Sequence, residues 1–264
     1  HFPLAARAID AGLAVVVDKP LANSSAAARE LVERAASRGV VLSVFHNRRW
    51  DSDQLTLRRL LEAGSLGDVH RFESRFERWR PEVRAGAWRE QTAPDEGGGL
   101  LLDLGTHLVD QARTLFGEPL RVHGEIAARR GGPADDDVFV ALEHEGGTIS
   151  HLWASSVAGA LGPRLRVLGS RAAYVVDALD GQEDALEARC RPGPGEGWGA
   201  EPEERWGRLV RGDESEPVPS ERGAWPDFYA RMAECLAGGG PPPVDPADAV
   251  AVLEILERAR ASAA

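Results

Sequence analysis

Gly97-Gly98-Gly99-Leu100-Leu101-Leu102-Asp103-Leu104-Gly105-Thr106-His107-Leu108-Val109-Asp110-Gln111 runs on to Phe116-Gly117, and its reading sets that of the whole chain. Three glycines lead into an apolar helical pattern, and Gly117 followed by Pro119 closes it. Asp103 and His107 stand at i and i+4, so a regular helix places them on one face, one turn apart. A carboxylate beside an imidazole fixes its tautomer and raises its basicity, as a histidine that exchanges protons requires. The same spacing is that of an ordinary exposed Asp/His pair on an amphipathic helix. Leu100, Leu101, Leu104, Leu108, Leu115 and Phe116 make this helix apolar over much of its circumference, where a polar group needs a partner or a purpose.

Upstream, the pattern is helix, strand, helix, strand. Leu4 to Ala11 is helical and stops at Gly12. Leu13 to Val17 is a continuous apolar run cut off by Asp18-Lys19-Pro20. Ser24 or Ser25 to Arg38 is an amphipathic helix with Gly39 as its C-terminal stop. Val40 to Phe45 is a second apolar run, ending in His46-Asn47-Arg48-Arg49-Trp50. Strands that are apolar throughout, separated by helices, belong to a buried parallel sheet. Two strands are too few for a doubly wound sheet, so the chain reads as beginning inside a domain. Lys19 sits at the carboxyl edge of such a sheet, where open α/β folds bind ligands. An ammonium there can steady charge developing on a substrate oxygen, although a solvated turn lysine has the same local sequence.

A helix from about Asp53 to Ala63 follows, and the period then changes to two. Val69 to Glu77, Arg121 to Ala128, Asp137 to His144, Thr148 to Ser155, Arg164 to Leu168 and Ala172 to Asp177 alternate as strands. Gly146-Gly147 and Gly169-Ser170-Arg171 join neighbouring pairs. This is an antiparallel sheet expected to have helices on one face. Leu186 to Arg211, with Pro192, Gly193, Pro194, Gly195 and Gly197, reads as an irregular excursion. Helices Trp225 to Leu236 and Pro246 to Ser262 close the chain.

The 264 residues carry a net charge of −11, which argues against nucleic-acid and anionic-membrane partners. Apolar runs fall short of a spanning helix. The two cysteines, Cys190 and Cys235, give no disulfide framework and suit a reducing cytoplasm. Asp103 and His107 lack a third ligand, so no metal is expected. No serine or cysteine lies in a nucleophile elbow. The glycines from Gly193 to Gly199 do not follow a strand and open a helix, so they are no dinucleotide fingerprint.

Taken together, these motifs resemble the glucose-fructose oxidoreductase/inositol dehydrogenase/rhizopine-catabolism (Gfo/Idh/MocA) family. Val17-Asp18-Lys19-Pro20-Leu21-Ala22 is similar to its Glu-Lys-Pro signature, with Asp for Glu. Gly97 to Asp110 is similar to its Gly-Gly-Gly…Asp-x-Gly-x-His-x-x-Asp block. His46 to Asp51 resembles a subgroup that includes NADP-dependent scyllo-inositol dehydrogenases. The resemblance covers the whole chain and implies an α/β (α+β) architecture. Residues 1–48 would be the C-terminal part of a Rossmann domain, and 49–264 a substrate and oligomerisation domain on an open, mostly antiparallel sheet.

It also implies an NAD(P)-dependent dehydrogenase acting on a sugar, inositol or related polyol. Lys19 would polarise the reacting hydroxyl, His107 would be the general acid/base, and Asp103 would orient the substrate or His107. Asp18, Lys19, Pro20 and Arg49 would border the cofactor (NAD or NADP, with NADP favoured by the subgroup), and Asn47 the substrate. A homodimer or homotetramer through the open sheet is implied. The competing expectation is a catalytically silent relative that uses the sheet for assembly. Family members carry about 70 further residues before the position of His1, including the glycine loop, so the polypeptide as given is expected to bind cofactor weakly or not at all, and the dehydrogenase activity is expected of a longer parent.

Overall fold

The computed structural model describes residues 1–193 and 197–263. Pro194 and Gly195 of the Pro/Gly-rich run lie outside the described residues. Helix α1 (Phe2–Asp10), strand β1 (Val15–Asp18), helix α2 (Ser25–Arg38) and strand β2 (Leu42–Phe45) open the chain. The two strands pair in parallel, with Asp18 opposite Phe45, so Lys19 and His46 leave adjacent carboxyl ends. Helix α2 starts and stops where its sequence says: Ser24 Oγ accepts from Ala27 N at 3.2 Å, and Gly39 takes the left-handed conformation at φ 64°.

Asn47–Trp50 forms a 3-10 turn leading into α3 (Ser52–Glu62) and β3 (Val69–Glu77). A short helix α4 (Trp88–Gln91) precedes the glycine-led stretch, whose helix α5 is Thr106–Phe116. Strands β4 (Pro119–Ala127), β5 (Asp137–His144), β6 (Ile149–Ser155), β7 (Leu165–Gly169) and β8 (Ala173–Val176) follow. Then come α6 (Gln182–Glu187), β9 (Gly207–Arg211), β10 (Glu214–Val218), α7 (Trp225–Leu236) and α8 (Pro246–Ser262).

The large sheet has the order β10-β9-β8-β7-β3-β6-β5-β4 and is antiparallel except where β3 runs parallel to β6. Both predicted hairpins are present: Gly147 N donates to His144 O at 2.9 Å, and Gly169 N to Ala172 O at 3.0 Å. Strand β5 alternates half-exposed and buried residues along its whole length, with Val138, Val140, Leu142 and His144 inward. One face therefore packs on helices and the other stays open. The expectation of an irregular excursion to Arg211 is corrected here, because β9 lies inside it and β10 just beyond extends the sheet. Both strands have five residues, and β10 reads Glu-Ser-Glu-Pro-Val, a polar edge sequence that carries no apolar alternation.

Helix α8 joins the two sheets. It packs on α2, β2, α5 and β4, and seven of its residues from Ala249 to Ala259 are buried around most of its girth. Ser43 Oγ donates to Val244 O at 2.9 Å beneath it, and Glu257 accepts from Ser25 N at 2.7 Å and Ser25 Oγ at 2.6 Å. These bonds fix the carboxyl ends of β1 and β2 against the glycine-led helix. That apposition positions the site.

Candidate active site

The predicted helix does not begin as an α-helix. Leu101–Gly105 winds as a π-helix, and regular α geometry starts at Thr106. A π turn takes more residues than an α turn, so Asp103 and His107 do not stack as i,i+4 neighbours. The expected Asp103–His107 pair is accordingly replaced. Asp103 accepts from Lys19 Nζ, through Oδ1 at 2.7 Å and through its carbonyl oxygen at 2.7 Å. Lys19 is thereby held across the junction, with its side chain 13% exposed. The Lys19–Pro20 peptide is cis. Lys19 N donates to Asp18 Oδ1 at 2.9 Å, which closes the turn after β1.

His107 is buried, and its Nδ1 has no hydrogen-bond partner. Burial, followed by the positive fields of Lys19, Arg48, His46 and Arg164, holds its pKa well below the usual imidazole value of 6.5. The imidazole is neutral at physiological pH and able to accept a proton. Lys19 is near enough for its charge to reach the ring, so the two predicted catalytic groups converge on one side of the molecule. Arg48 and Arg164 both lie over the Phe76 ring, at 4.9 Å and 4.2 Å, and that ring stands 6.2 Å from His107.

Among the other expected residues, Asn47 lies half-buried at the tip of β2, and its amide has no partner among the described residues. Arg49 has a supporting position. Its Nε and Nη2 bind Asp110 at 2.9 and 2.6 Å, and Nη2 also binds Asp248 at 2.9 Å, bracing the 3-10 turn against α5 and α8. Two residues escaped sequence reasoning. Asp135 anchors the start of the π turn, with Oδ1 accepting from Leu101 N at 2.7 Å and its carbonyl oxygen accepting from Leu100 N at 2.9 Å. His46 is fully enclosed, with neither ring nitrogen bonded, and its Nδ1 lies 3.7 Å from Asp110. A paired Asp135-Asp136 before a strand was the available signal for the first; the second heads the His46 to Asp51 run, which carries the subgroup resemblance but assigns no role to the histidine itself. No group of His, Cys, Asp and Glu among the described residues could hold a metal.

Burial is the main cause lowering the His46 pKa below 6.5. A histidine whose native pKa lies below its unfolded one contributes stability above about pH 6.5 that is lost as pH falls. Asp51 works in the opposite sense, because burial pushes its carboxyl up to about 8 and favours the protonated form. His46→Leu isolates the first effect. Its Tm relative to wild type is expected to rise as pH drops from 7.5 to 5.5, and a pH-independent difference by calorimetry would show that His46 is not held neutral.

Comparisons with known proteins identify the family. Residues 54–175 match the GFO/IDH/MocA C-terminal domain, and residues 1–46 match the NAD-binding Rossmann fold of the oxidoreductase family. The uncharacterized oxidoreductase YdgJ of Escherichia coli is 44% identical over 97% of this chain and 74% of its own. The chain belongs to the Gfo/Idh/MocA family of oxidoreductases. Another member, the scyllo-inositol 2-dehydrogenase (NADP(+)) IolW of Bacillus subtilis, is 36% identical over 99% of this chain and 73% of its own. The structure of the oxidoreductase yvaA from Bacillus subtilis superposes with a TM-score of 0.90 at 34% identity, covering 100% of this chain and 76% of that one.

Family membership brings a nicotinamide cofactor, and the residues present fit one end of it. Ligands of open parallel sheets lie beyond the carboxyl ends of the strands. There the unpartnered Asn47 amide, the Lys19 ammonium and the His107 imidazole form a polar rim suited to a nicotinamide and a substrate hydroxyl. A pyrophosphate cradle of the strand–glycine loop–helix kind does not occur among the described residues.

Proposed function

We propose that this protein is an NAD(P)-dependent dehydrogenase of a sugar, an inositol or a related polyol. The observation that carries the reading is Lys19 Nζ held by Asp103 beside a neutral, buried His107. Lys19 donates a hydrogen bond to the reacting oxygen and steadies its developing negative charge. His107 takes the hydroxyl proton in oxidation and returns it in reduction. Asp103 keeps the ammonium aimed, while Asn47 borders the substrate. The nicotinamide, when bound, exchanges hydride with the carbinol carbon. NADP is the preferred form, on the strength of the named cofactor of the Bacillus subtilis inositol dehydrogenase relative.

The open sheet face adds an assembly role. Phe139, His151 and Trp153 stack along it with centroids 5.2 to 5.8 Å apart, and Arg75 covers Trp153 at 3.9 Å. Aromatic and arginine side chains together are typical of interface centres, so the face suits a homodimer or homotetramer. The two free thiols fit a reducing cytoplasm.

A panel of inositols and aldoses with NAD+ and NADP+, run on the protein with the family's glycine-loop segment in place and read by formation of the reduced cofactor, tests the activity. Turnover of at least one polyol, with NADP+ preferred, is expected. A protein that associates through the sheet but turns over none of them is the silent relative instead.

A further inference from the structure

The first half of the segment between β3 and α5 runs against the charge of the chain. Acidic residues outnumber basic ones by 11 overall, yet in this half, residues 78–91, Arg78, Arg80, Arg84 and Arg89 face only Glu82 and Glu90. Arg78, Arg84 and Arg89, joined by Arg130, edge a hollow of about 170 Å³ that Asp103 also lines. The carboxylates around it are already engaged. Glu90 accepts from Arg84 at 2.9 Å and Arg130 at 2.8 Å, Asp135 from Arg260 at 2.9 Å, and Asp103 from Lys19. Arg130 is closed further by Asp136 at 2.9 Å.

Two guanidinium groups keep donors to spare. Arg78 gives one hydrogen bond, from Nε to Ser156 Oγ at 3.3 Å, and no carboxylate lies within ion-pair distance of it among the described residues. Arg89 lies over the exposed Trp88 ring at 4.7 Å, with its Nε 3.6 Å from an Asp103 already bound to Lys19. Arg78 also lies within the electrostatic reach of Asp103. The surplus positive charge therefore sits directly beside the carboxylate that holds the ammonium of the site.

We propose that this hollow is an anion subsite: the substrate carries a carboxylate or phosphate group that Arg78 and Arg89 bind while its carbinol faces Lys19 and His107. The forked guanidinium matches both oxyanions in two-point geometry. The volume is that of about five or six water molecules, enough for one such group and its nearest carbons and too small for a nucleotide. The inference rests on the dehydrogenase reading above and narrows its substrate to acidic or phosphorylated sugars.

Calorimetric titration of the full chain with glucose, glucuronate and glucose 6-phosphate, with and without NADP+, tests it. At least one anionic sugar is expected to bind about tenfold or more tightly than glucose. The preference should weaken as salt rises. R78Q, shown to be folded by circular dichroism, is expected to lose most of the preference, and R78K to keep part of it. The glucuronate and glucose 6-phosphate arms tell carboxylate from phosphate. Equal binding of all three sugars, no saturable binding of any, or a preference that survives in R78Q overturns the subsite. Oxidation of glucose without anionic preference defeats the subsite and leaves the dehydrogenase reading standing. Anionic preference with no turnover of any sugar leaves the subsite and defeats the dehydrogenase reading.

Discussion

Lys19→Met lowers kcat by roughly 10²–10³-fold on whichever polyol the wild type oxidises, the cost of removing one well-placed donor from a developing oxyanion. Methionine keeps the length and apolar stem of lysine and removes only the charge and its donors. The side chain is 13% exposed, and Asp103 at 22% still meets solvent, so the released carboxylate is rehydrated and the fold survives. The loss belongs in kcat more than in KM, because the ammonium interacts most strongly with the alkoxide formed in the transition state. His107→Gln is expected to cost roughly 10²–10⁴-fold as a lost general base. The double variant should be little worse than the poorer single one, since the two groups act on the same oxygen and proton. Steady-state kinetics on purified, folded variants give the measurement. Turnover at the wild-type level in both single variants would falsify the assignment.

The architecture was legible because its signals are local. The all-apolar runs ending at Val17 and Phe45 gave a parallel pair, and the alternation of Asp137 to His144 gave a sheet with one open face. Lys19, Asp103 and His107 stood out as candidate site residues through the motifs they sit in. Their mutual arrangement was not, because it depends on winding. A helix assumed to be α throughout pairs Asp103 with His107, whereas the π turn at Leu101–Gly105 turns the carboxylate to Lys19, 84 residues earlier in the chain. The surroundings of Arg49 were hidden for a related reason. A guanidinium at a strand tip looks available to a ligand until Asp110 and Asp248, 61 and 199 residues away, are seen to occupy it. Strand β10 was missed since an edge strand's polar sequence is indistinguishable from a loop. Long-range pairing decides each of these, and a single sequence carries little record of it.

Gly98→Ala has the largest expected effect on stability, because space rather than conformational freedom is what this position lacks. A methyl group there would stand 1.8 Å from the Thr92 carbonyl oxygen and 2.6 Å from its carbon. Both are backbone atoms, so no rotamer change relieves the clash. The neighbouring backbone is pinned as well: Gly98 N donates to Ala93 O at 3.0 Å, and Gly99 N to Arg89 O at 2.9 Å. Gly97 and Gly99 have φ of 97° and 92°, so the chain on either side cannot rotate to absorb the shift without giving up its own left-handed turn. Overpacking of this kind costs about 3 kcal/mol or more. For a chain of this size that corresponds to a fall in Tm of roughly 6–12 °C. The displaced loop also carries Trp88, Arg89 and the start of the π turn, so Asp103 is drawn away from Lys19 and activity falls with stability. Calorimetry and kinetics on the same preparation check both. A Gly98→Ala protein that melts within a degree of wild type shows that the loop yields, and that the close packing at Thr92 does not hold the site together.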